Sequence, residues 1–170
     1  MKGFSLYFAS LMLIGSAVLA EETPQSIAGY GKTTWGMSPE QVVEAEAPRA
    51  EKLTKPENLG LVKINNIKIG IYTFNANFIF DEVSMSLNKV NLTLAEDKGA
   101  GANPLVFSSL EQMLTEKYGQ PTYKNDSVEA SWKLEKTVIS VKHLYVPHTF
   151  SKVLITYKPA AIAENESKNL

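Results

Sequence analysis

Ile67-Lys-Ile-Gly-Ile-Tyr-Thr-Phe-Asn-Ala-Asn-Phe-Ile-Phe80 is the stretch on which the fold turns. Ile67, Ile69 and Ile71 alternate with polar or small residues. After a change of phase near Asn75, Ala76, Phe78 and Phe80 alternate again. A period of two sends successive side chains to opposite faces of a strand, so this pattern predicts strands with one apolar face. Val90, Leu92 and Leu94 make a further set. Together they predict an antiparallel meander with turns at Asp81-Glu82 and Leu87-Asn88, the phase change marking a bulge or bend.

Upstream, Ser38-Pro39-Glu40-Gln41 has the chemistry of a helix start. Ser38 can accept from free N–H groups of the first turn, Pro39 suits the first helical position, and Gln41 completes a capping box. Val42, Val43 and Ala45 give this helix an apolar side, and Pro48 stops it. Residues 48–58 are polar, with two prolines, and are expected to form a loop. Downstream, Lys98–Asn103 reads as a second loop. Asn103-Pro104 then opens a helix with Leu105, Phe107, Leu110, Met113, Leu114 and Tyr118 on one stripe. Gly119 and Pro121 end it. Val128, Ala130, Trp132 and Leu134, then Ile139 and Val141, then Val153, Ile155 and Tyr157, mark three more strands.

The predicted order is helix–meander, helix–meander. The two proline-initiated helices begin at residues 39 and 104, which hints at a duplicated unit. Alternating strands leave one face wet. The expected fold class is α+β, a two-layer sandwich with two helices on one face of a twisted antiparallel sheet.

The chain has 170 residues, 44% of them apolar and 21% charged, and no cysteine. That describes a globular protein and excludes a coiled coil, a low-complexity chain or a disulfide scaffold. Seventeen basic and eighteen acidic residues give a net charge of −1, with no global attraction to nucleic acid or anionic lipid. Lys2, the uncharged run Phe4–Leu19, and Val18 and Ala20 before Glu21-Glu22 have the layout of a cleaved signal peptide over residues 1–20. A flexible leader is expected over 21–29, a single domain over 30–158 and a disordered tail over 159–170. A cysteine-free exported chain suits the bacterial periplasm, so a soluble periplasmic or secreted protein without stable membrane insertion is expected.

Trp35-Gly-Met-Ser-Pro-Glu-Gln-Val42 and Leu114-Thr-Glu-Lys-Tyr-Gly-Gln-Pro121 resemble the helix-edge signatures of small exported bacterial proteins, most of them uncharacterised. The spacing Trp132, Ile139, Ile155-Thr-Tyr157 fits the same pattern. The helix-plus-meander layout is similar to small outer-membrane assembly lipoproteins and to the secreted β-lactamase inhibitor protein. What the resemblance implies is a fold, a compartment and a binding role, with no catalytic residue carried over. The assembly lipoproteins carry a lipid-modified cysteine that this chain lacks.

Catalytic patterns are absent. There is no Gly-x-Ser-x-Gly elbow and no HExxH. Ser108, His143 and Asp97 could be written as a triad, but nothing in their spacing joins them. His143 and His148 flank Leu-Tyr-Val-Pro with the spacing of neither a helical nor a strand pair, and a zinc site would need a third ligand such as Glu135 or Asp126. Gly99-Ala-Gly101 lacks the lysine of a phosphate-binding loop. No cofactor is expected. Opposite the apolar sets lie Asn77, Ile79, Asn91, Thr93, Glu129, Ser131, Lys133 and Lys142, a polar face on which a partner could dock. The expected function is therefore non-enzymatic binding of an envelope protein, through Glu129, Ser131, Lys133, Lys142, Tyr145 and His148. Two alternatives remain open. One is an inhibitor of a secreted hydrolase, acting through a loop at Lys98–Asn103 or Tyr145–Phe150. The other is a metal-binding protein or enzyme built on His143 and His148.

Overall fold

A computed structural model describes residues 27–168, apart from 58 and 97. The expected signal peptide, residues 1–20, lies outside the described residues. In chain order the elements are α1 (Pro39–Ala45), β1 (Ala50–Glu57), β2 (Gly60–Ile69), β3 (Tyr72–Phe80), β4 (Leu87–Leu94), α2 (Asn103–Tyr118), β5 (Tyr123–Asn125), β6 (Glu129–Lys133), β7 (Thr137–Val146), β8 (Phe150–Pro159) and α3 (Ala160–Lys168). The eight strands form one antiparallel sheet in the order β1-β2-β3-β4-β8-β7-β6-β5. The fold is α+β, and each four-strand meander brings its last strand to the middle of the sheet.

The capping box at Ser38 forms as its chemistry requires. Gln41 N donates to Ser38 Oγ at 3.4 Å, and Ser38 N donates to Gln41 Oε1 at 2.8 Å. Gly36, at φ 89°, turns the chain into this helix and leaves Gly36 N donating to Leu87 O. Trp35 Nε1 donates to Thr137 Oγ1 at 2.9 Å, and Trp35 N donates to Ala28 O. Ile27 packs against the core. Thr137 Oγ1 also donates to Ile27 O, so the end of the expected leader is tied to β7.

The core lies between the helices and the apolar sheet face. Val42 of α1 and Val106, Phe107, Leu110 and Leu114 of α2 pack with Phe74, Phe78, Leu92, Trp132, Ile139 and Ile155. Trp132 is fully buried, and its indole donates to Gly119 O at 2.8 Å, joining β6 to the end of α2. Val106 takes the inward place expected of Leu105, which is exposed.

Five further expectations are corrected. Residues 50–57 are an edge strand, not a loop. With one neighbour among the described residues and Glu51, Lys52, Lys55 and Glu57 exposed, β1 has no apolar alternation to betray it. The phase change falls in β2, where the β2–β3 register shifts between Ile64 and Ile67 and Asn66 sits at φ 59°, not near Asn75. Ile71 lies in the β2–β3 turn and is exposed. Leu87 opens a strand, and the preceding turn is closed by Asp81, whose carboxylate accepts from Val83 N and Ser84 N. Residues 160–168 form a helix, not a disordered tail. Its few apolar residues carry no strong pattern, and it is anchored through charge: Lys133 Nζ meets Glu164 at 2.8 Å, and Lys158 pairs with Glu166.

Candidate functional site

The strand registers assign every residue of the polar face. Lys63, Asn77, Asn91, Thr156, Ser140 and Ser131 face one another pair by pair from β2 to β6, forming one polar row across the sheet. A second row runs Asn75, Thr93, Leu154, Lys142, Glu129. Directly opposed residues on neighbouring strands stand about 5 Å apart at Cβ, so each row is continuous, but the face is not evenly wet as expected: Asn77 and Ser140 are buried.

A cavity of about 610 Å³ opens on this face. Asn75, Asn77, Asn91 and Thr93 line it from β3 and β4, and Lys152 and Leu154 from β8. The β4–β8 pairing ends at Thr93 and Leu154. Beyond that pair Leu94, Val153 and Asn103, which belong to the apolar side, also border the cavity. Leu59 completes the wall from the β1–β2 turn. That turn passes close over β3. Gly60 needs its missing side chain here, because a Cβ would stand 2.9 Å from the Cβ of Asn77.

The hydrogen bonding within the cavity is uneven. Asn75 Oδ1 accepts from Asn66 N at 3.1 Å, and Asn91 Oδ1 accepts from Thr156 Oγ1 at 3.0 Å. Asn103 Nδ2 donates to both Ser151 O and Ser151 Oγ at 2.9 Å, which leaves Asn103 Oδ1 with no partner. Asn77 is 1% exposed, and neither its Nδ2 nor its Oδ1 has a partner. A buried polar atom without a hydrogen bond costs about 1–3 kcal/mol. Asn77 therefore marks a place in the fold where bonding capacity is held in reserve.

Of the six expected binding residues, the structure brings four together. Glu129, Ser131, Lys133 and Lys142 lie on the polar face of β6 and β7. Lys142 Nζ pairs with Glu129 at 3.0 Å, and Lys133 with Glu164 of α3. Lys158, on the same face, hydrogen-bonds Glu166 and holds its carboxyl below the usual range, with the Lys158, Lys89 and Lys142 charges adding to the effect. This end of the face is thus covered in part by the chain's own α3.

Tyr145 and His148 sit elsewhere. β7 and β8 pair along their whole length, while β6 pairs only as far as Lys142 and β4 only as far as Leu154. The hairpin end, Leu144 to Lys152, therefore projects past its neighbours. Tyr145 is exposed there with its ring stacked on His143 at 5.9 Å between centroids, and His148 is exposed in the turn at φ 58°. Leu144, Val146 and Phe150 are also exposed at this tip.

The catalytic arrangements considered above do not assemble. His143 Nε2 hydrogen-bonds Ser151 Oγ at 2.9 Å. Ser108 Oγ instead donates to Pro104 O in its own helix. Asp97 lies outside the described residues, and among those described no three His, Asp or Glu residues gather in a way that could hold a metal ion. Sequence reasoning placed Asn77, Asn91 and Thr93 on the wet face but missed Asn103, which reads as a helix start. No family model, curated protein or solved structure matches this chain.

Proposed function

We propose that this chain is an exported, non-enzymatic binding protein of the bacterial periplasm that takes its ligand in the asparagine-lined cavity of the polar sheet face. One observation carries the reading: Asn77, at the cavity, is buried with both amide atoms unpartnered. A cavity of about 610 Å³ falls within the range of roughly 300–1,000 Å³ that small-ligand sites occupy. Binding is favoured over catalysis because Ser151, the hydroxyl nearest a histidine, is buried and committed to Asn103 and His143. Export is supported by the layout of residues 1–20. We read the two helix–meander halves as a duplicated unit in a two-layer sandwich, since the order β1-β2-β3-β4-β8-β7-β6-β5 mirrors one half onto the other.

Native mass spectrometry of the protein recovered from the periplasm of a bacterial host tests this. The expected outcome is an N-terminus at Glu21 and a bound small mass that Asn77→Leu loses. A chain retained in the cytosol with Met1 intact would refute export. A wild type that carries no ligand, and that no compound in a broad thermal-shift panel stabilises relative to Asn77→Leu, would refute the cavity as the working site.

A second reading, inhibition of an envelope hydrolase, is favoured by the projecting hairpin with Tyr145, Val146 and Phe150 exposed. It requires micromolar inhibition that Tyr145→Ala abolishes.

A further inference from the structure

We infer that the ligand of this cavity is an extended peptide segment, held by its backbone and carrying aliphatic side chains; the inference rests on the cavity being the binding site. The bonding capacity left over has the form of a peptide unit. Asn77 offers both an N–H donor and a C=O acceptor with no protein partner, and a carboxamide is self-complementary to the CO–NH group of a peptide. Asn75 and Asn91 each accept one hydrogen bond at the amide oxygen, from Asn66 N and from Thr156 Oγ1, and each has its amide N–H to offer a ligand. Asn103 is the reverse. Its amide nitrogen is fixed on Ser151, and its oxygen is left as an acceptor. Asn75 and Asn91 on β3 and β4 and Asn103 at the start of α2 thus border the same cavity, at the end of the β4–β8 seam. A chain of alternating carbonyl and N–H groups satisfies both sides.

The walls agree with this. Leu59, Leu94, Leu144, Val153 and Leu154 supply aliphatic surface between the amides. Among the described residues the lining includes no aromatic ring, the group on which sugar faces and nucleobases are usually stacked. Among the described residues Lys152 is the one charged side chain lining the cavity, which suits a segment with a carboxylate toward the β7–β8 hairpin.

Panning a randomised heptapeptide phage library on the purified protein, with Asn77→Leu and Asn91→Leu as parallel baits, tests the inference, followed by calorimetric titration of a synthetic copy of the enriched sequence. The expected result is a family with aliphatic residues at alternate positions, whose binding falls at least about tenfold in both variants while their circular dichroism matches wild type and both still melt cooperatively. No enrichment on wild type over the variants overturns the peptide assignment, as does a peptide whose affinity both variants leave unchanged. A panel of neutral oligosaccharides forms the second arm. If one of these raises the melting temperature of wild type but not of Asn77→Leu, the peptide class fails and the cavity stands as a ligand site. If neither arm separates wild type from the variants, both readings fail.

Discussion

The two ends of the polar sheet face are built from similar residue types and behave in opposite ways. At the β6–β7 end Lys133, Lys142 and Lys158 each meet a carboxylate of this same chain: Glu164, Glu129 and Glu166. At the β3–β4 end Asn77 meets nothing, and Asn103 keeps its oxygen free. Both ends look hydrophilic, but only one is satisfied by the fold. Polarity alone therefore does not mark a working surface. The sharper mark is a buried polar group whose partners the fold does not supply.

Substitutions can break this contrast, beginning with the support common to both ends. Trp132 lies in the core beneath the charged end and bonds Gly119, so Trp132→Ala should cost about 3–5 kcal/mol. Chemical denaturation should register this as one cooperative loss. Two separate transitions would mean that the ends do not share a core. Next in size is Asn77→Leu, a change of similar volume that removes an unsatisfied buried amide. It should raise the stability of the ligand-free protein by about 1–2 kcal/mol while abolishing binding. A destabilised variant would show that Asn77 already has its partners, as the charged end does. Ser151→Ala comes third. It removes one of the two acceptors that orient Asn103, and should cost about 1 kcal/mol and weaken ligand binding without altering the charged end. Equal binding by this variant would remove Asn103 from the site.

The smallest effect belongs to α3. Its ion pairs are largely exposed and are worth less than about 1 kcal/mol each. Glu166 has its pKa lowered in the folded protein by the Lys158 hydrogen bond. Its contribution is therefore present above the usual carboxylate range and is lost as pH falls through the lowered value. The protection factors of the amides of residues 160–168, corrected for the intrinsic exchange rate at each pH, should fall as the pH drops below the usual carboxylate range, while those of β3 and β4 remain high. Protection that does not change with pH would mean that α3 is held by something other than charge.

Much of this fold can be read from the sequence because local rules and long-range packing agree. Ser38 and Gln41 cap the helix they open, Gly119 ends the next, and the alternation at Phe74, Ala76, Phe78 and Phe80 is the apolar face itself. Where the reading failed, the stabilising partner was distant or absent. β1 is polar on both sides, and among the described residues one of its edges meets no strand. α3 is secured by lysines on β6 and β8. The site divides in the same way. Asn77 and Asn91 follow from strand parity. Asn103 enters only through Ser151, 48 residues further on, and no spacing rule anticipates that bond.

An open sheet ends in two strands whose outer backbone groups could recruit a neighbouring molecule. β5, at one margin, has only three residues. β1, at the other, carries Pro56, which has no N–H to offer, amid Glu51, Lys52, Lys55 and Glu57, whose charges an incoming strand would have to dehydrate. The same composition that hid this strand from the sequence reading thus discourages strand addition at this margin.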